Sequence, residues 1–212
     1  MVLGLPLRPL ARCGECYRRV SVHDVLSSDA PTPAAPVTPH AVGVSDEEFK
    51  AALTRLAAGV VLVTAHEPQT DPDGPRGDDA GMTATAFLSV SLDPPLVMVS
   101  LRTGSRMDDL LEEQPLWGVS LLDRSQIHLA GRFAMRGRLS DRLLFEDVPH
   151  RRGTHTGAPL LDGALATLEC RTEQRVEAGD HTLVIGRVLS ADLPSADGEP
   201  LLYFRGKYRA LG

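Results

Sequence analysis

Two strand-like runs, 164–177 and 181–190, meet at Ala178-Gly179-Asp180, and this short turn constrains the fold more than any other feature of the chain. A glycine and an aspartate between two alternating runs predict a β-hairpin. From Met82 onward, further strand candidates follow at 82–87, 96–101, 116–122 and 201–205. Only two short helices interrupt them, about Ser105 to Glu113 and about Ser125 to Phe133. Many strands with few helices predict a mainly β fold, a closed or partly closed antiparallel barrel.

The start of this domain is readable at Ser45. Ser45-Asp46-Glu47-Glu48 is a capping box, a hydroxyl followed three residues later by a carboxylate. Phe49, Leu53, Leu56 and Ala57 repeat at helical spacing, and Gly59 is expected to end the helix. Val60 to Thr64 reads as a buried strand. His66 to Gly81, rich in Asp, Pro and Gly, reads as a loop. Residues 1–44 are different: Ser27 to Pro39 carries prolines at 31, 33, 36 and 39, so the stretch cannot bury enough apolar surface to offset its ordering entropy. We therefore divide the chain into a flexible N-terminal extension, 1–44, and one folded domain, 45–212.

Composition removes several function classes. A net charge of -6 gives no general attraction to nucleic acid, and aromatic residues are too few for a base-stacking platform. No apolar run approaches membrane-spanning length, and Pro6, Arg8 and Pro9 break the opening segment too often for a signal peptide, so a cytoplasmic protein is expected. The three cysteines make no disulfide framework. Cys13-Gly14-Glu15-Cys16 is a lone C-x-x-C with only His23 and His40 near it, and reads as two free thiols rather than half a zinc site. Cys170 reads as a small core residue. His150 and His155 read as surface-loop residues, and no metal site is expected. No G-x-G-x-x-G follows a strand, and no Walker A, H-E-x-x-H or G-x-S-x-G sequence occurs.

The most informative stretch is Gly81-Met82-Thr83-Ala84-Thr85-Ala86-Phe87-Leu88-Ser89-Val90-Ser91-Leu92-Asp93-Pro94-Pro95-Leu96-Val97. Alternation puts Thr83 and Thr85 on one strand face, and Ser89 and Ser91 repeat the pattern. Small side chains let a flat ring approach the backbone, whose N–H groups can then bond the ring's carbonyls and nitrogens. On residues alone, an edge strand with a Ser/Thr-rich surface accounts for the run equally well.

The stretch resembles the signature of the flavin reductase-like family, and the resemblance continues in order along about 46–211. Ala57-Ala58-Gly59-Val60-Val61-Leu62-Val63-Thr64 is similar to the family's first helix-to-strand junction, and Trp117-Gly118-Val119-Ser120-Leu121-Leu122 to its central strand. Arg132-Phe133-Ala134, Gly157-Ala158-Pro159-Leu160-Leu161 and Leu168-Glu169-Cys170 also fit. Gly179-Asp180-His181, with Gly186 and Val188, resembles its G-D-H-x-x-x-x-G-x-V strand, and Pro200 to Tyr208 its closing segment.

That resemblance implies an FMN-binding split barrel that carries hydride from NADH or NADPH to FMN or FAD. Thr83, Ala84, Thr85, Ser89, Val90 and Ser91 would line the flavin ring and ribityl chain. Ser105, at the start of a short helix, would sit near the flavin phosphate, where free N–H groups and the helix dipole favour an anion, with Arg106 adding charge. Arg132, Phe133 and Ala134 would contribute to the same pocket; the plainer readings are a solvated helix-end cation for Arg132 and core for Phe133. His181 would orient the nicotinamide, with Tyr203 and Arg205 near it. No catalytic acid or base is assigned, because the hydride chemistry belongs to the two cofactors. The resemblance further implies a homodimer that supplies reduced flavin to a separate monooxygenase. Two other functions compete: a flavin-binding electron carrier, and a flavin-dependent oxidase of the pyridoxamine-phosphate-oxidase-like type.

Overall fold

The chain passes from one edge of a seven-stranded sheet to the other in two residues. The computed structural model describes residues 43–67, 77–135, 141–195 and 197–211. In it β2 (Val61–His66), β3 (Asp79–Ala84), β4 (Phe87–Leu92), β5 (Pro95–Arg102), β6 (Leu116–Leu121), β9 (Ala166–Ala178) and β10 (His181–Asp192) pair antiparallel in the order β3-β2-β6-β9-β10-β5-β4. Six strand spacings would put the edges of a flat sheet about 29 Å apart. Thr85 and Ala86 alone join those edges, and three peptide steps reach about 11 Å at most. The sheet must therefore curl until β3 and β4 meet at this corner, which makes it a barrel split between two edges that no further strand among the described residues covers. Smaller sheets complete the fold: β1 (Ala58–Gly59) with β11 (Leu202–Phe204) and β12 (Lys207–Arg209), and β7 (His150–Arg152) with β8 (Pro159–Leu161).

The core has two parts because β2 is covered on both faces, which explains its unbroken apolar run. Val61, Val63 and Ala65 face the barrel interior with Val99, Leu101, Trp117 and Val184. Helix α2 (Arg106–Glu113) closes one end of this interior with Met107, Leu110 and Leu111. Val60 and Leu62 face outward, under α3 (Ile127–Ala134) and α4 (Asp141–Phe145), against Leu129, Phe133 and Phe145. Cys170 is fully buried, as expected of a core residue, and burial together with the neighbouring Glu169 charge pushes its thiol pKa up to about 12. Gly186 has a packing reason. A Cβ there would collide with Cζ2 of Trp117, whose indole Nε1 donates to Thr172 Oγ1 at 3.2 Å.

The hairpin forms where the turn predicts it. β9 and β10 are joined by Gly179, at φ +67, and Asp180, and both strands run past their expected ends. The capping box also forms: the Glu48 amide donates to Ser45 Oγ at 3.2 Å and the Ser45 amide to Glu48 Oε2 at 3.0 Å.

Four expectations need correction. Helix α1 (Asp46–Leu53) stops at Leu53, not at Gly59, because Ala58 and Gly59 are drawn into a ladder with β11. The run 82–87 is not one strand: it breaks at Thr85-Ala86, where the chain changes sheet edge. The run 201–205 turns at Arg205 (φ 51) and Gly206 (φ 75) and returns as β12. His150 lies in β7, its ring 5.6 Å from that of Phe145, whereas His155 is exposed. The extension up to residue 42, with Cys13, Cys16, His23 and His40, lies outside the described residues, as does 68–76 of the expected loop. Among the described residues no helix is long and apolar enough to cross a membrane, and no group of three or more His, Cys, Asp or Glu side chains could hold a metal ion.

Candidate functional site: the split between two strand edges

At the Thr85-Ala86 corner β3 and β4 are the two end strands of the sheet, and no further strand among the described residues pairs with their outer edges. Beside this corner lies a cleft of 370 Å³ lined by Thr85, Ala86, Lys50, Leu53, Thr54, Leu56, Ala58, Tyr203 and Arg205. Its walls are apolar, with a cation at two points. Tyr203 packs edge-on against Tyr208, ring centroids 5.5 Å apart, and the Arg205 guanidinium stacks over Phe204 at 5.0 Å. The Arg205 amide donates to Thr54 O at 3.0 Å, which fixes the β11–β12 turn against the end of α1.

A continuous strip runs from this corner along β5. The Ser100 amide donates to Ala86 O at 3.0 Å. Two residues on, Arg102 pairs with His181, and the Thr103 amide donates to Asp180 O at 3.1 Å. His181 Nδ1 donates to the Asp180 carboxylate at 2.8 Å, so Nε2 is the nitrogen left to face a ligand; the same hydrogen bond, reinforced by charge, holds the Asp180 carboxyl below its usual range. Past Thr103 the chain turns at Gly104, φ +69, into Ser105, whose hydroxyl accepts the Asp108 amide at 3.3 Å and caps α2. Arg106, at the first position of α2, pairs with Glu67 at 2.8 Å.

The structure brings Thr85, Tyr203 and Arg205 together at the cleft, whereas His181, Ser105 and Arg106 lie outside its lining, at and just beyond the end of β5. Ser89, Val90 and Ser91 lie on β4 past the corner, along the open edge, with a bulge at Val90. The hydroxyls of Thr85, Ser89 and Ser91 have no hydrogen-bond partner among the described residues. The other expected residues are held in the fold. Thr83 Oγ1 donates to Ala130 O at 2.8 Å, Ala84 is buried in the barrel core, and Phe133 packs on Phe145 with centroids 4.9 Å apart. Arg132 Nη2 donates to Leu143 O at 2.6 Å, and Ala134 is exposed where α3 ends. These side chains do not line the cleft, because strand alternation turns Ala84 inward and α3 lies behind β3. Two strand edges that no further strand covers among the described residues, the hydroxyls beside them and an apolar cleft carrying cations suit a flat, oxygen-bearing ring with a phosphorylated tail.

Residues 53–212 match the family model described as a flavin reductase like domain. The chain belongs to the flavin reductase-like family. A relative from a Rhodococcus species, an NADH-dependent flavin reductase, is 42% identical over 168 residues, covering 79% of this chain and 88% of its own. The reductase component of 4-hydroxyphenylacetate 3-monooxygenase from Thermus thermophilus is 36% identical, covering 78% of this chain and 96% of its own. The solved structure of the NADH:FAD oxidoreductase SgcE6 from Streptomyces globisporus C-1027, in complex with NAD and FAD fragments, superposes with a TM-score of 0.70 at 31% identity, covering 81% of this chain and 98% of that one.

Within this flavin reductase-like fold, sequence reasoning missed the contribution of α1. Lys50 and Leu53 of α1, with Thr54 and Leu56 just past its end, line the cleft, whereas helical spacing gave Leu53 and Leu56 only a place on one apolar face. Periodicity locates an apolar face but does not say what covers it.

Proposed function

We propose that this protein is an NADH-dependent flavin reductase that passes a hydride from NADH to FMN or FAD held in the split between β3 and β4. The observation that carries this reading is the corner itself. Thr85 and Ala86 sit between two open strand edges, with Tyr203 and Arg205 across the cleft and His181 on the strip that leads away from it. The bound nicotinamide and flavin rings supply the redox chemistry; the chain's residues bind and align them. The edge amides and the hydroxyls of Thr85, Ser89 and Ser91 bond the polar rim of the ring. Val90, with Leu88 and Leu92, lends apolar surface. Thr83, Ala84, Arg132, Phe133 and Ala134 act indirectly, through the β3 edge that α3 supports. The flavin phosphate lies at Ser105 and Arg106, at most about 17 Å of extended chain from Ser100. Asp180 orients His181 so that Nε2 meets the nicotinamide carboxamide, and Lys50 and Arg205 attract the dinucleotide's phosphates.

In this reading the reduced flavin leaves for a separate monooxygenase, and the protein works in the cytoplasm, where NADH is available. It also works as a homodimer. Phe49, Leu53 and Leu56 on one side of the corner and Leu88, Val90 and Leu92 on the other are all exposed, Leu92 by 92%. A second copy is the simplest cover for so much apolar surface beside the site.

The test follows NADH absorbance with FMN or FAD in excess, for the wild type and His181→Ala. Flavin-dependent turnover is expected, with KM for NADH raised roughly tenfold in the variant and flavin affinity little changed. No flavin-dependent oxidation by the wild type would overturn the reductase reading, and unchanged KM in the variant would remove His181 from it.

A further inference from the structure

We propose that Arg175 is a positioning residue for the flavin phosphate, acting through Asp108 on the Gly104-Ser105 turn. The inference rests on the reading above that the flavin tail ends at Ser105. Arg175 pairs with Val184 across the β9–β10 ladder, and Val184 is buried in the barrel, so the guanidinium lies on the inner face, under α2. Its Nη2 donates to Asp108 Oδ1 at 2.6 Å. The other carboxylate oxygen, Oδ2, accepts the Gly104 amide at 3.0 Å. The Asp108 side chain is only 5% exposed and that of Arg175 24%. One carboxylate thus joins a strand of the barrel to a left-handed glycine one residue before the proposed phosphate ligand.

Two consequences make this more than a structural ion pair. Asp108 carries the same sign of charge as a phosphate and sits in the first turn of α2. Unpaired, it would repel the ligand that the helix end attracts. Paired with Arg175, it is neutralised while still bonding the Gly104 amide. Arg175 Nη1 is also buried, with no hydrogen-bond partner among the described residues, so an unused N–H donor remains beneath the turn. Removing Arg175 should therefore weaken ligands that carry a phosphate and spare those that do not.

The experiment measures affinity for FMN and for riboflavin, which lacks the phosphate, by quenching of flavin fluorescence. Wild type, Ser105→Ala, Arg175→Lys, Arg175→Met and Arg175→Met/Asp108→Asn are compared, with thermal melts reporting the fold. Arg175→Met is expected to weaken FMN roughly tenfold and riboflavin less than about twofold, with Arg175→Lys in between. Equal loss for both ligands, or none, overturns the proposal. If Arg175→Met does not fold, the double variant, which buries no unpaired charge, carries the test. Its FMN-to-riboflavin preference should fall several-fold, and an unchanged preference overturns the proposal. If the wild type has no preference for FMN, or Ser105→Ala keeps all of it, the phosphate does not lie at Ser105 and both readings fall. If Ser105→Ala loses the preference and the Arg175 variants keep it, only the role of Arg175 falls.

Discussion

Glu169 shows how much a single residue can hold. It is 2% exposed, yet no cation bonds it among the described residues. It is held instead by the amides of His155 and Thr156, both at 2.8 Å, and by the hydroxyls of Thr156 at 2.9 Å, Ser190 at 3.0 Å and Thr154 at 3.3 Å. Burial is the largest single effect on its pKa and acts upward, but the hydrogen bonds from Thr156, His155 and Ser190 together outweigh it and hold the carboxyl below its ordinary 4.5. A lowered folded pKa stabilises the fold above the unfolded value, and that stabilisation is lost as pH falls through the folded value. Glu169→Gln turns an amide towards groups that already donate, and should cost about 1–3 kcal/mol at neutral pH. The difference in melting temperature between wild type and variant should narrow as the pH drops below 4.5. A difference that stays constant with pH would mean that the charge is not what the loop grips. None of this was legible in Leu168-Glu169-Cys170: a charged residue inside a strand pattern reads as an exposed one, whereas its neighbour Cys170 was correctly placed in the core by type alone.

Elements were legible where local chemistry decides them. The Ser45 cap, the Gly179-Asp180 turn and the Ser105 start of α2 all follow from side chains within three or four residues of the backbone they bond. The break at Thr85-Ala86 was not legible, because both residues suit a strand and the cause of the break lies across the sheet: β3 pairs with β2, β4 with β5. Thr85 lines the cleft all the same, since the residue that leaves the strand is the one that reaches it. Gly186 was visible only as part of a resemblance, and its packing reason appears once Trp117 lies against it. Gly186→Ala should cost about 1–3 kcal/mol through overpacking. Chemical denaturation measures this directly, and a loss below about 0.5 kcal/mol would mean that the indole can move aside.

At the scale of the whole molecule, the barrel and its few short helices were readable from strand count and turn spacing, whereas the distribution of exposed apolar surface was not. If a second copy covers the face around the corner, light scattering should report a dimer, and Phe49→Asp with Leu92→Asp should yield monomers that bind flavin more weakly. A monomeric wild type would leave that face without its proposed cover. The long hairpin has a different consequence. β9 pairs with β6 only as far as Arg171, and beyond it no strand among the described residues takes up that side of β9, although β10 still pairs with the other. An open ladder of this kind is a template on which a stray chain can build a fibril. Here the exposed stretch carries Glu173, bound by Arg187, and Glu177, so an incoming strand would have to strip water from charged groups to dock. The last residues of β9 can therefore keep one edge open while still discouraging the intermolecular pairing that precipitates β proteins.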